Sequence, residues 1–256
     1  MTSAQPPRPQ LTFFFPAYNE EENVERTVQL ALEQIGPMVD SLEVLIVDDG
    51  SSDRTPELAD SLAAADSRVR VHHQPNRGYG GALKAGFANA TGSLIAFSDG
   101  DLQFDLEELR LLLDRLNDPN RKPVDAVIGW RIKRRDPLHR LIIAKTYNTI
   151  VSVAFGLRAR DIDCAMKLFR RQVFDGLRLD SDGPFLSAET LIKLRARKVR
   201  MAQVGVHHFP RAAGTNTGAS FVKILRTFRD LGKLRLALWF DRKRTVGEVP
   251  AGEPAA

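Results

Sequence analysis

Ser93-Leu94-Ile95-Ala96-Phe97-Ser98-Asp99-Gly100-Asp101-Leu102-Gln103 is the stretch whose reading decides the fold. A short apolar run leads into two carboxylates separated by a glycine. A near-continuous apolar run reads as a strand buried on both faces. An amphipathic pattern begins near Leu106, so the acids stand at the carboxyl end of a buried strand, just before a helix. Open α/β sheets bind their ligands there. Asp99 and Asp101, on a turn opened by Gly100, can approach one hard cation. A divalent ion held by them can neutralise a diphosphate. Asp-x-Asp also occurs in solvated acidic turns, but like charges this close repel, so a site that keeps them calls for a cation or a base nearby. Gln103 adds an amide able to order a phosphate or a sugar.

Working outward, the first half alternates apolar runs with helical patterns. Strands are predicted at Leu11–Phe15, Leu42–Val47, Val69–His72, Ser93–Phe97 and Ala126–Ile128. Helices are predicted at Glu21–Ile35, Thr55–Ala65, Gly81–Ala90 and Leu106–Leu116. This βαβα order implies a mostly parallel sheet with helices on both faces and right-handed crossovers. The second half is less regular. Leu138–Leu157 is a long basic-apolar segment, Asp163–Phe169 reads as a strand, Phe185–Arg197 as a helix and Arg200–Val206 as a strand. Phe221–Phe240 has the pattern of an amphipathic helix, and Trp239 near its end fits either interfacial binding or ordinary packing. The expected organisation is a disordered tail over residues 1–10, a catalytic domain over 11–217, an amphipathic helix over 218–244 and a second disordered tail over 245–256.

Composition narrows the function classes. The chain has 256 residues, 43% hydrophobic and 27% charged, which suits a soluble domain with a substantial core. Cys164 is its one cysteine, so an intrachain disulfide is excluded and a reducing compartment is expected. The start of the chain lacks the apolar stretch of a signal peptide. No apolar run approaches the ~20 residues needed to span a bilayer. The net charge of +5 is gathered in Arg131–Arg140, Arg195–Arg200 and Arg226–Arg244, patches suited to phosphates or anionic lipid. Zinc-finger, RNP and basic-zipper signatures are lacking, which argues against nucleic acid.

Other strand ends carry polar residues that a turn alone does not need. Pro16-Ala17-Tyr18-Asn19-Glu20 closes the first strand. Tyr18 and Glu20 can stack on and hydrogen-bond a nucleobase; equally, Asn19 can cap the following helix with Glu21 and Glu22 favouring its dipole. Val47-Asp48-Asp49-Gly50-Ser51-Ser52-Asp53 closes the second strand. Its acids can accept hydrogen bonds from ribose or base, while Ser52 and Asp53 suit a helix cap. Asn76-Arg77-Gly78-Tyr79-Gly80-Gly81 is glycine-rich but fits neither the P-loop nor the dinucleotide fingerprint. Close packing of loop and helix is the simpler reading, phosphate contact the alternative. Arg131, Lys133, Arg134, Arg135, Arg140 and Lys145 follow the fifth strand, and one or two can reach a phosphate. His207-His208 lack the further ligands of a zinc site, and Arg211 is a better candidate as a phosphate clamp. Cys164 reads as structural.

In this order and spacing the motifs resemble the inverting family 2 glycosyltransferases of GT-A fold, a group that includes dolichyl-phosphate mannose synthase and dolichyl-phosphate glucosyltransferase. The resemblance runs from about Leu11 to Arg235. It is carried by Pro16-Ala17-Tyr18-Asn19-Glu20-Glu21, Val47-Asp48-Asp49-Gly50-Ser51, Asp99-Gly100-Asp101-Leu102-Gln103, Gly129-Trp130-Arg131, Asp161 through Phe169, and Arg211 with Gly214. It implies that Pro16, Ala17, Tyr18, Glu20, Val47, Asp48 and Asp49 line the donor nucleoside pocket. Asp99 and Asp101 would hold Mg²⁺ or Mn²⁺ against the donor diphosphate, with Gly100 and Gln103 beside them. Arg131, Arg140, Lys145 and Arg211 would bind donor or acceptor phosphates. The segment Leu138–Leu157 would lie on the cytoplasmic face of a membrane and receive a polyprenyl phosphate. Mannose synthases of this type carry a lysine soon after the late arginine, where this chain has Thr215-Asn216-Thr217. Asp161–Phe169 is closer to the glucosyltransferase form, with Ala165-Met166 replacing its Gly-Phe.

A phosphate acceptor is already anionic near neutral pH and needs no strong base. A hydroxyl acceptor on a soluble glycan would need one, for which Glu189 is the candidate. A nucleotidyltransferase would open with a glycine-rich loop in place of Pro16-Ala17-Tyr18-Asn19. A module that binds nucleotide sugar or membrane without turnover is the alternative of another class, and the intact acid pair argues against it.

Overall fold

The computed structural model describes residues 10–132 and 138–210, together with 229, 231–232 and 234–236. Arg211, Gly214, most of the expected helix at 218–244 and the two tails lie outside the described residues. Strands β1 (Leu11–Ala17), β2 (Leu42–Asp48), β3 (Val69–His73), β4 (Leu94–Phe97), β5 (Ala126–Ile132), β6 (Lys167–Arg170) and β7 (Met201–His207) form one sheet in the order β3-β2-β1-β4-β6-β5-β7. β3, β2, β1 and β4 run parallel. β6 enters antiparallel to both β4 and β5, and β7 is parallel to β5. Helices α1 (Val24–Leu30), α2 (Thr55–Ala65), α3 (Gly78–Asn89), α4 (Leu109–Asn117), α5 (Leu138–Phe155) and α6 (Leu186–Ala196) join and flank the strands. The expected mixed, mostly parallel α/β sheet is what forms.

Every residue of β2 is buried, and all of β1 except the partly buried Pro16. That burial accounts for their unbroken apolar runs. A phenylalanine cluster joins the layers. Phe14 stacks on Phe97 with ring centroids 5.3 Å apart, and Phe87 stacks on Phe174 at 4.4 Å. Phe87 meets Phe14 edge-on at 5.2 Å and Phe169 at 5.9 Å. α3, β1, β4 and β6 are thereby packed through one aromatic seam, worth ~0.5–1.5 kcal/mol per pair beyond area burial. The seam leaves no room at Gly86, where an added Cβ would lie 2.1 Å from the Phe14 ring.

Several boundaries differ from the sequence reading. The helix expected at Glu21–Ile35 starts at Val24, because Glu20 O accepts the backbone N–H groups of Asn23 and Val24 at 2.9 Å, and it loosens into a π turn at Ala31–Ile35. Asn19 is not its cap. Asn19 sits at φ 54°, and its Oδ1 accepts from Ser52 N at 2.8 Å, so it ties the first loop to the second. α3 begins three residues earlier than expected, at Gly78. The strand expected over Asp163–Phe169 begins only at Lys167. Before it, Ile162 N donates to the Asn148 side chain at 3.3 Å. α5 stops at Phe155, and Gly156 follows at φ 66°, a left-handed cap that glycine adopts without strain.

Glu43 on β2 is a buried charge that the fold must satisfy. Its carboxylate accepts from Thr12 Oγ1 on β1, from the Arg70 guanidinium on β3, and from Thr91 N at 3.1 Å and Thr91 Oγ1 at 2.9 Å. Burial alone would raise its pKa; the hydrogen bonds from Thr12, Arg70 and Thr91 outweigh burial and hold it below the ordinary value. A carboxyl depressed in the folded state stabilises above its unfolded pKa, and that contribution is lost as pH falls through the folded value. Glu43→Gln is expected to cost about 1–3 kcal/mol at pH 7. In urea unfolding, the gap to the parent protein should narrow as the pH falls through the lowered Glu43 range; a gap independent of pH would refute this role.

Candidate active site

The parallel register brings the carboxyl ends of β1, β2 and β4 side by side. Ala17 pairs with Asp48, and Phe14 with Phe97. Asp99 and Asp101 therefore rise beside Pro16 and Ala17, as the sequence reading required. Gly100 is held against β1: an added Cβ would meet the Phe15 ring at 2.8 Å and Pro16 O at 3.1 Å. Thr27 Oγ1 donates to Gly100 O at 3.2 Å, and Leu102 completes the turn at φ 58°. Only a residue without a side chain permits this turn to lie so close to the sheet.

Asp99 accepts from Tyr79 Oη at 2.9 Å. Burial and the charge of Asp101 push the Asp99 carboxyl up to about 6, against the pull of the Tyr79 hydrogen bond, Lys167 and Arg131. Asp101 is 5% exposed, and its Oδ1 accepts from Gln103 N at 3.2 Å. Gln103 has a second commitment. Its Nε2 donates to Phe209 O at 2.9 Å and its carbonyl accepts from Phe209 N at 2.8 Å, which ties the acidic turn to the end of β7.

The expected nucleoside residues divide by exposure. Tyr18 is 48% exposed and stands at the rim. Glu20 is half-buried and accepts from Asn23 Nδ2 at 2.6 Å. Val47 is wholly buried and Ala17 nearly so, so they form floor. Asp49 Oδ1 accepts from Gln74 Nε2 at 2.6 Å and from Arg77 N at 2.8 Å. Asp48 turns to His73, whose Nδ1 lies 2.8 Å from Asp48 Oδ2 and whose Nε2 lies 3.1 Å from Asp60 Oδ1. These carboxylates, Asp48 first, raise the His73 pKa. The glycine-rich loop packs closely, the simpler of its two readings: Gly80 N donates to Asp182 O at 3.0 Å, and a Cβ there would meet Gly183 O at 2.5 Å.

On the other side of the acid pair, Arg131 grips Asp161 with both arms, Nε to Oδ2 at 2.6 Å and Nη2 to Oδ1 at 2.9 Å. Burial would lower the arginine pKa, but Asp161 more than compensates and raises it. Such a forked pair is rigid and directional. Arg140 is described only by its place on α5. Lys145 lines a cleft of about 350 Å³ with Asn148, Thr149, Ser152, Val153 and Arg160; neither Arg131 nor the acid pair borders it. Cys164 is fully buried and its thiol is pushed up to about 12 by burial, which fits a structural role. Glu189 accepts from Asp180 N and Ser181 N, each at 2.8 Å, and pairs with Lys193 at 2.6 Å. It anchors the 180–183 loop.

These features fit a divalent cation bound with a ligand. Two acids at one strand end, Asp101 buried and Asp99 partly buried, crowded enough to raise Asp99, gain from a positive charge between them. Among the described residues no group of three or more His, Cys, Asp or Glu is placed to hold a metal, so further coordination falls to ligand oxygens and water.

The sequence profile of glycosyl transferase family 2 matches residues 12–178. The chain belongs to this family. Glycosyltransferase AglD of Haloferax volcanii is 32% identical over 242 residues, 91% of this chain and 37% of that protein. The undecaprenyl-phosphate 4-deoxy-4-formamido-L-arabinose transferase of Pectobacterium atrosepticum is 31% identical over 219 residues, 84% of this chain and 64% of that protein. The chain thus spans less than two thirds of the length of either relative. Among solved structures, glucosyl-3-phosphoglycerate synthase from Mycobacterium tuberculosis, bound to phosphoglyceric acid, superposes with a TM-score of 0.62 at 21% identity, over 90% of this chain and 80% of that one. The same enzyme has been solved with Mn²⁺ and UDP-glucose. At this identity the likeness establishes the fold, which is GT-A.

Within this family 2 domain, sequence reasoning passed over Tyr79, Asp161 and Lys167 as side chains with duties at the site. Tyr79 sat inside a stretch read for its glycines, and Asp161 inside one read for resemblance. Tyr79→Phe removes only the hydroxyl that holds Asp99. It is expected to lower metal-dependent activity about 10–100-fold while leaving the thermal midpoint within a few degrees. Unchanged activity would show that Asp99 needs no such support.

Proposed function

We propose that this domain transfers a hexose, with inversion, from a nucleoside-diphosphate sugar of the GDP-mannose or UDP-glucose type to a polyprenyl or dolichyl phosphate. The observation that carries the reading is the crowded Asp99/Asp101 pair at the end of β4, with Asp101 buried, flanked by the acids at the end of β2 and by the fork between Arg131 of β5 and Asp161. The name of the Pectobacterium relative, an undecaprenyl-phosphate transferase, supports the acceptor class.

Tyr18, Glu20 and Asp49 meet the nucleoside. Asp99 and Asp101 hold Mg²⁺ or Mn²⁺, which when bound neutralises the charge that grows on the departing diphosphate. Arg131 meets a phosphate, with Arg140, Lys145 and Arg211 as further cations for the acceptor. The acceptor phosphate oxygen attacks the anomeric carbon as the bond to the diphosphate oxygen breaks on the opposite face. An α-linked donor then yields a β-linked lipid phosphate sugar. The enzyme's contribution is alignment and charge stabilisation. The attacking oxygen is already ionised, so no base is required. Glu189, the one carboxylate considered as a base for a hydroxyl acceptor, is committed to the 180–183 loop, which supports the phosphate acceptor.

Among the described residues no helix is long and apolar enough to cross a membrane. Val153 is 82% exposed on α5, and Ile150, Lys145 and Arg160 lie near it. Aliphatic side chains beside cations suit peripheral contact with the cytoplasmic face of a membrane. The test is transfer from radiolabelled GDP- and UDP-sugars to polyprenyl phosphate in liposomes with Mg²⁺ or Mn²⁺. The intact protein is expected to form a labelled lipid from one donor, and Asp101→Ala to reduce the rate at least about 10²–10³-fold. Transfer only to soluble additives would overturn the lipid acceptor and keep the donor site.

A further inference from the structure

Lys167 is 1% exposed and takes no part in the chemistry above. It is the first residue of β6, and the antiparallel register sets it opposite Phe97 of β4 and Ile128 of β5. Phe97 lies two residues before Asp99, so the lysine stands beneath the acidic turn. Its Nζ donates to Cys164 O and lies 5.2 Å from the centroid of the Phe97 ring. Met166, Leu168 and Phe169 beside it are all buried. An apolar side chain would suit those surroundings, whereas a buried ammonium is costly unless charge repays it. Burial pulls the Lys167 pKa below its ordinary value, and Cys164 and the carboxylates of Asp163, Asp161 and Asp99 pull against it. The lysine thus joins the acid pair to the Arg131–Asp161 side of the site.

We propose that Lys167 is a built-in counter-cation of the Asp99/Asp101 site, a positioning residue whose fixed positive charge keeps free divalent metal loosely held until the donor diphosphate brings the charge to retain it. Two carboxylates and a nearby ammonium leave little net negative potential for a lone dication. A nucleoside diphosphate adds oxygens and negative charge together, so metal and donor bind as a unit. This inference rests on the metal reading of Asp99 and Asp101 and is independent of the sugar acceptor.

The test reads Mn²⁺ binding to the whole chain by electron paramagnetic resonance, with no sugar and no acceptor, then with UDP or GDP. The parent protein is expected to bind Mn²⁺ about ten-fold or more tightly with the nucleotide than without it. Lys167→Met and Lys167→Gln, the second keeping a donor for Cys164 O, are expected to bind free Mn²⁺ roughly ten-fold tighter than the parent. Lys167→Arg should stay near the parent. A purely structural lysine would give the opposite sign, with weaker Mn²⁺ binding in both neutral variants. Neutral variants that fold, by circular dichroism, and bind free Mn²⁺ no tighter than the parent overturn the proposal. Should neither fold, the parent protein decides: equal Mn²⁺ affinity with and without nucleotide overturns it. Absence of Mn²⁺ binding under every condition would remove the metal reading as well, whereas loss of the lipid acceptor would touch neither.

Discussion

Repulsion between two carboxylates that share the end of one buried strand is the constraint around which this molecule is arranged. In water Asp99 and Asp101 would cost little. At the rim of a sheet, with the Phe15 ring beneath Gly100, they cannot separate or hydrate freely. The surrounding groups answer that strain one by one. Tyr79 donates to Asp99, Gln103 N to Asp101, and the Thr27 hydroxyl fixes the peptide between them. Arg131 and Lys167 supply positive charge from the far side. A cluster so provided for is a poor surface turn and a good seat for a bound cation.

The same economy runs through the loops. Asn19 and Ser52, Asp49 and Gln74, Asp48 and His73, Glu189 and the backbone at 180–181 are all pairings between residues far apart in sequence. Each satisfies polar groups that burial would otherwise leave bare. The result is a rim whose shape is set by cross-loop hydrogen bonds above a sheet set by packing. That division explains why motif residues can be floor, strut or contact. Val47 is floor, Asp48 a strut and Tyr18 an exposed rim ring.

Sheet and acid pair were legible because they rest on local signals, apolar runs of strand length ending in acids. The five strands of the first half appear where the runs lie, though β1 and β5 extend further and carry Pro16 and Arg131 within them. What escaped was tertiary. The late start of α1 depends on Glu20 O, and the Asn148 side chain holds the loop before β6 at Ile162. No periodicity encodes either. Lys167 could not be read as buried from a stretch that also holds Asp161, Asp163 and Arg170. Only the register opposite Phe97 reveals it.

The reversal of β6 has a consequence for how such a domain can diversify. β5 and β6 are antiparallel neighbours, so the chain between them leaves and re-enters the sheet at the same end of the strands. A crossover between parallel strands must span the sheet and is bound by its dimensions, but an excursion of this kind is free to lengthen, shorten or change character. The half built from β1 to β4 would keep its spacing throughout. One scaffold can thereby be varied by rewriting a single insert.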